Sequence, residues 1–271
     1  MNKAIFALSL LASPMVFSLD QQPWYGNVYE FRADAGFTYY YFNNVQGALK
    51  QPESASNNYL TFGGFGFTLS EQLDFDMDIE LTRTPRQNYS FRSGALQARY
   101  RFLNDIAGDP VTLTTGFNIR GVGAKSVKDI SSPYASYANF ELTTAIGKEK
   151  TVKDSWKIRG YGLLSLGAAC QGYPWSRYLA LFESNFSDIH RLGIFSEGYF
   201  GLGGKNYVNI KHFRGWSHVQ HDSIDIGALY SRVMGVWGKL MLEYSSRVFA
   251  HNYPEYEQRA TIRYEIPFSL F

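Results

Sequence analysis

One cysteine, Cys170, stands among 271 residues, so no intramolecular disulfide can staple the chain. Within its apolar stretch that thiol reads as a small hydrophobe. Charge of one sign is missing too. A formal net charge of +2 leaves no polybasic footprint for nucleic acid and no polyacidic tail. Beyond the N-terminus no run reaches the roughly 18 consecutive apolar residues that a helical membrane span needs. No stretch carries three turns of amphipathic helical period, and no linker or low-complexity segment divides the chain. No cofactor and no metal are expected.

What the chain does have is aromatic and apolar. Phe, Tyr and Trp make up 17 % of it, and hydrophobic residues 45 % against 18 % charged, which excludes a disordered chain. At the N-terminus, Lys3 precedes an apolar run from Ala4 to Ala12, followed by Val16, Phe17 and Ser18. This pattern predicts a signal peptide over 1–18, cleaved after Ser18, with the mature domain at 19–271. No cysteine stands near the cleavage point to carry a lipid anchor.

Alternation fills the mature chain. In 73–83, Leu73, Phe75, Met77, Ile79 and Leu81 point one way, while Asp74, Asp76, Asp78, Glu80 and Thr82 point the other. Segments 31–42, 94–102, 111–120, 137–146, 156–166, 224–231, 240–248 and 260–268 repeat the pattern, and 59–69, 177–187, 191–202 and 206–216 follow it less cleanly. Turn-forming stretches rich in Gly, Asn, Asp, Ser and Pro separate them. Four carboxylates in a row do not face a protein core, and an unbroken apolar face does not face water. Both faces are satisfied when the apolar one meets lipid and the charged one lines a lumen.

The expected fold is therefore all-β, a single antiparallel transmembrane β-barrel. Both termini of such a barrel lie on one side, so the thirteen segments must resolve to an even count. Twelve strands is the choice, with fourteen and ten as alternatives.

A signal peptide, a helix-free mature chain and a last amphipathic strand ending on Phe resemble bacterial outer-membrane β-barrel proteins. The resemblance implies an outer-membrane location in a Gram-negative-type bacterium, surrounded by outer-membrane lipids. It also implies that the barrel-insertion machinery reads the last strand, here through Tyr264, Phe268 and Phe271. Phe271 falls one residue out of the apolar phase, and Pro267 interrupts the strand.

The inward charges then become the candidate site. Arg99 and Arg101 follow on the strand next to Asp74, Asp76, Asp78 and Glu80, and with Arg120 they form the expected selectivity surface of a narrow, porin-like channel for small polar or anionic solutes. The same charges also suit an ion-pair brace for the wall. Further inward cations are Arg32, Lys157, Arg159, Arg247, Arg259 and Arg263, and closure of the barrel predicts that Arg32 approaches Arg259 and Arg263. One alternative is a closed structural or adhesive barrel. Another is a lipid hydrolase, for which 211–223, holding His212, Ser217, His218, His221 and Asp222, is the place to look. Adjacent strand residues point apart, so Ser217 and His218 form no dyad by being neighbours. The segment reads most simply as a polar loop, and His190 and His251 as loop residues at the membrane rim. No catalytic residue is expected.

Overall fold

The computed structural model describes residues 19, 21–152 and 155–269. The predicted signal peptide and Phe271 lie outside the described residues. Fourteen strands occur among the described residues. They are β1 (Glu30–Phe42), β2 (Asn44–Val45), β3 (Ser56–Thr68), β4 (Leu73–Thr84), β5 (Gln87–Leu103), β6 (Thr112–Val122), β7 (Ala138–Val152), β8 (Ser155–Ala169), β9 (Trp175–Phe186), β10 (His190–Leu202), β11 (Gln220–Val233), β12 (Lys239–His251), β13 (Pro254–Glu255) and β14 (Gln258–Ser269). Twelve of them close an antiparallel barrel, with β14 pairing β1 at the seam, while the short β2 and β13 pair with each other at one rim.

The count of twelve agrees with the sequence reading, and one of the thirteen segments is not a strand. Segments 177–187 and 191–202 are separate strands, β9 and β10. The surplus segment is 206–216, which belongs to a loop with two single-turn 3-10 helices, Ile210–His212 and Trp216–His218. Its aromatic and apolar residues mimic a strand because they pack inward over the barrel mouth rather than alternate across a sheet.

Facing follows the period-two pattern. On β4, Phe75, Met77 and Ile79 are exposed on the outer wall, while Asp74, Asp76, Asp78 and Glu80 are buried inside. The outer wall carries exposed Phe, Leu, Ile and Val along the strands, as a lipid-facing surface requires. At the seam Phe31 stacks on Phe67 at 4.4 Å and on Phe268 at 5.6 Å, so the aromatic of the last strand is packed into the outer wall. One facing changes. A bulge between Lys150 and Thr151 shifts the β7–β8 register and leaves Trp156, expected outside, under the guanidiniums of Arg159 and Arg191 at 4.3 and 5.0 Å. Cys170 is exposed where β8 ends, not packed as a small hydrophobe, because the strand gives way there to the turn at 171–174.

Residues 21–29 do not join the wall. Side chains and carbonyls of 21–25 engage inward-facing arginines, so this part lies in the lumen at the end where β1 begins and β14 ends, while 27–29 are exposed. At the opposite mouth, parts of loops 43–55, 123–137, 203–219 and 252–257 converge on a buried cluster that includes Phe42, Ile130, Phe213, Trp216 and Tyr253. Trp216, fully buried, lies 4.8 Å from the Phe213 ring and 4.4 Å from that of Tyr253, and its indole N–H donates to the Ser132 carbonyl at 2.7 Å. The barrel thus carries a segment in one end and an apolar lid over the other.

Candidate functional site

The acid ladder of β4 is paired throughout. Asp74 sits directly opposite Arg99 in the register, at 2.5 Å, and Arg99 also reaches Asp76 at 3.3 Å. Arg32 arrives from the other side, two strands away, at 3.0 Å from both Asp74 and Asp76. It crosses β3 at Gly66, where a Cβ would stand 2.4 Å from Asp76 Oδ1 and 2.8 Å from Arg32 Nη2. Only glycine leaves that path open. Higher up, Arg120 on β6 reaches over the small Ala95 of β5 to Asp78 at 2.6 Å and to Glu80 at 3.4 Å. Glu80 further accepts from Ser93 at 2.8 Å and from the Tyr134 hydroxyl at 2.5 Å, with Arg92 at 3.6 Å.

The same construction recurs around the wall. Arg177 on β9 crosses Ser165 of β8 to Glu141 at 2.8 Å and also meets Glu197 at 3.4 Å. Arg159 pairs with Glu183 at 2.6 Å, Arg247 with Asp225 at 2.8 Å, and Arg259 with Glu257. Arg263 pairs with Asp34 at 3.2 Å across the seam. The expected approach of Arg32 to Arg259 and Arg263 does not occur, because Arg32 turns away from the seam toward Asp74 and Asp76. Like charges separate, and the carboxylates on β4 offer the lower-energy partner. Carboxylates of the ladder are at most 8 % exposed, so they do not line open water in this conformation.

Arg101 was expected beside the acids, but it makes no ion pair with them among the described residues. A bulge between Arg101 and Leu103 turns the end of β5, and the Arg101 guanidinium lies over the Tyr25 ring at 4.8 Å. Arg99 covers the same ring at 5.0 Å and donates to the Gln22 carbonyl at 2.7 Å. Trp24 lies under Arg159 at 5.1 Å and meets Tyr161 edge-on at 6.0 Å. Gln21 accepts from Arg177 at 3.3 Å. Luminal arginines therefore grip the N-terminal segment through cation–π and hydrogen-bond contacts, each ring contact worth about 0.5–2 kcal/mol.

The segment is also tied to the rim. The Trp24 indole N–H donates to Asp105 Oδ1 at 3.0 Å in the turn between β5 and β6. Burial pushes the Asp105 carboxyl up, but bonds from the Thr112 hydroxyl, the Glu149 N–H and Trp24, with Lys148 nearby, hold it below its ordinary value.

Beside the segment remains a cavity of about 140 Å³ against the wall opposite the acid ladder. Arg191, Lys239 and Glu243 face it, together with the apolar Leu181, Phe195 and Leu229. Lys239 is paired with Glu265 at 3.2 Å, whereas Arg191 rests on Trp156 and forms no ion pair among the described residues.

The hydrolase alternative finds no assembled dyad. Ser217 is buried and its hydroxyl has no hydrogen-bond partner among the described residues, while His218 is exposed and meets Tyr173 edge-on. His221 is buried among Tyr199, Trp216 and Tyr253 and bonds the Val219 carbonyl through Nδ1 at 2.8 Å. No group of His, Cys, Asp and Glu suited to a metal ion occurs among the described residues. His190 and His251, expected in loops, are instead the first residue of β10 and the last of β12, against the Tyr230 hydroxyl at 2.8 Å and Asp222 at 3.4 Å.

Reasoning from sequence missed Arg92, Tyr134, Arg177, Arg191 and the 21–29 segment. Arg92 is the extra residue of a bulge opposite Glu80 and Leu81, which turns it inward out of phase. No strand period reaches Tyr134 or Trp24, which lie in irregular segments.

No protein-family model matches the chain, and no curated protein is similar to it in sequence. Solved structures are similar in shape. An outer membrane channel from Pseudomonas putida F1 matches with a TM-score of 0.65 at 10 % identity, covering 93 % of this chain and 100 % of that one. The translocator domain of the autotransporter NalP from Neisseria meningitidis gives 0.49 at 13 % identity, covering 90 % of each chain. KdgM porin gives 0.48 at 9 % identity, covering 85 % of this chain and 98 % of that one. At such identities the likeness is one of fold, and the fold is the closed antiparallel barrel of the bacterial outer-membrane proteins.

Proposed function

We propose that the chain is a gated, narrow channel of the bacterial outer membrane for small polar or anionic solutes. Its signal peptide is removed after Ser18, lipid surrounds the apolar band, and the barrel-insertion machinery reads β14 with Tyr264, Phe268 and Phe271. The observation that carries the reading is how the lumen is closed. A wall packed shut by its own side chains would need no further closure. Here the closures are an N-terminal segment and a set of loops, held to the wall by side-chain contacts rather than by strand pairing, and a mixed polar and apolar cavity lies beside the segment.

In this reading the seven expected residues divide by task. Asp74, Asp76, Asp78, Glu80, Arg99 and Arg120 brace one wall, and Arg99 and Arg101 hold Tyr25 over the lower lumen. Selectivity rests on the opposite wall, where Arg191 offers a cation without a carboxylate partner among the described residues. The apolar side chains beside it suit a solute with a non-polar body and a negative group.

A second reading, a closed structural barrel, draws on the dense pairing of the luminal charges. Planar-bilayer recording of the refolded protein separates the two. The channel reading expects discrete openings, with a reversal potential in a salt gradient that moves toward cation preference in Arg191→Gln. Silence of the wild type at every voltage would assign the structural role. Lipase or deacylase turnover lost in Ser217→Ala would instead promote the hydrolase.

A further inference from the structure

We propose that the outer face of the loop 203–219 is a binding cleft for a phosphorylated sugar. This goes beyond conduction, because the cleft lies on the loop between β10 and β11, outside the lumen. Lys205, Tyr207, His212, Phe213, Arg214 and His218 line a cavity of about 400 Å³. That is the size of a small-molecule site of about 300–1,000 Å³.

Its charge differs from that of the rest of the molecule. Most cations of the lumen, Arg101 and Arg191 apart, are matched by carboxylates, whereas the loop 203–219 contains no Asp or Glu at all. Lys205, Lys211 and Arg214 carry its fixed charges, and His212 and His218 add two imidazoles. Lys205, His212, Arg214 and His218 form no ion pair among the described residues, and all four are exposed. Uncompensated cations around one cavity make a positive potential that favours an anion carrying more than one charge. Arginine adds a planar fork suited to phosphate oxygens.

Aromatic faces supply the rest. Tyr207 is 43 % exposed beside the cavity, and Tyr173 holds the His218 ring edge-on at 6.4 Å. Exposed rings next to cations suit a sugar ring that bears phosphate better than a bare ion.

The cleft is held in shape by backbone bonds. Lys205 N–H donates to the His218 carbonyl at 3.0 Å, and Gln220 N–H to the Lys205 carbonyl at 2.8 Å. Asn209 caps the 3-10 turn at His212 through its side chain at 3.3 Å. Gly215, at φ 91°, lies where a Cβ would meet the Ala135 carbonyl oxygen at 2.2 Å, which seats the loop on 134–135. Phe213 lines the cleft on one side and joins the buried lid cluster on the other, so a ligand held here sits directly over the lid.

A phosphorylated sugar reaches this face from two sources, as a free solute or as part of the lipopolysaccharide of the outer leaflet. Isothermal titration of the detergent-solubilised full-length barrel distinguishes them. The probes are glucose 1,6-bisphosphate, glucose, and lipopolysaccharide with and without its phosphates. Saturable, salt-sensitive binding of the bisphosphate is expected for a free solute, and binding of only the phosphorylated lipopolysaccharide for the lipid source. In either case affinity falls at least tenfold in Lys205→Gln/Arg214→Gln. These side chains are exposed, so the variant keeps the heat-resistant band of the folded barrel. Absence of binding to every phosphorylated probe, equal binding of glucose, or unchanged affinity in the double variant overturns the proposal.

Discussion

Replacing Arg120 by Met distinguishes a buried brace from a hydrated selectivity surface. Arg120 is 3 % exposed and Asp78 2 %, and their closest approach is 2.6 Å. Methionine keeps most of the side-chain length but leaves Asp78 beside an apolar thioether. Removing one partner from a buried pair costs about 3–5 kcal/mol, because the remaining charge stays desolvated. Were the ladder bathed in water, the same pair would contribute about 0–1 kcal/mol. These ranges do not overlap, so the measurement decides. Glu80 also loses Arg120 but keeps Arg92, Ser93 and Tyr134, so the larger loss falls on Asp78, which the Arg120 guanidinium holds through two bonds. The double variant Arg120→Met/Asp78→Asn removes the stranded charge and recovers most of the loss. The assay is reversible guanidinium unfolding of the vesicle-inserted barrel, followed by tryptophan fluorescence and fitted by linear extrapolation. A loss below about 1 kcal/mol in the single variant would refute the brace and return the ladder to the water path.

Three further outcomes are expected. Trp216→Ala removes the fully buried centre of the lid, at a cost of about 3–5 kcal/mol. Its effect appears as faster hydrogen exchange across 203–219, and unchanged exchange there would disprove the lid. Asp105 has a carboxyl depressed below its ordinary value of 3.8, so its tie to Trp24 is fully present above that pH and is lost as pH falls through the lower folded value. A spin label at residue 22 should therefore gain mobility only in strong acid in the wild type, and already at neutral pH in Asp105→Ala, which has no acceptor. Finally, the exposed thiol of Cys170 lies at the end opposite the start of β1 and the end of β14, so a membrane-impermeant maleimide should label it on intact cells. Labelling that requires opened cells would invert the barrel.

How much of this was legible depends on what each face of a strand meets. Where lipid lies outside and charge inside, as on β4, the period is unbroken and both the strand and its facing can be read directly. On β9 and β10 the inner face also carries Leu179, Leu181 and Phe195, which line the cavity, so both faces are apolar and the alternation blurs. Loop 203–219 was mistaken in part for a strand because its aromatics are buried in the lid rather than in a sheet. The arginines of the candidate site could be placed on the inner wall, but their partners could not. Pairs such as Arg32 with Asp76 and Arg120 with Asp78 skip a strand over Gly66 or Ala95, a relation set by tilt and register rather than by spacing. Bulges hid Arg92 and Trp156 by reversing the phase. The N-terminal segment has no period at all, and Trp24 finds Asp105 across 81 positions of sequence.

The central claim is that a channel exists and that the N-terminal segment obstructs it. Its most direct test is single-channel conductance of the wild type against a variant lacking residues 21–27, which removes Trp24, Tyr25 and their contacts with Arg99, Arg101 and Arg159. The account predicts brief, small openings in the wild type and longer, larger ones in the deletion. Identical traces from the two proteins, with the deletion folded and inserted, would contradict it.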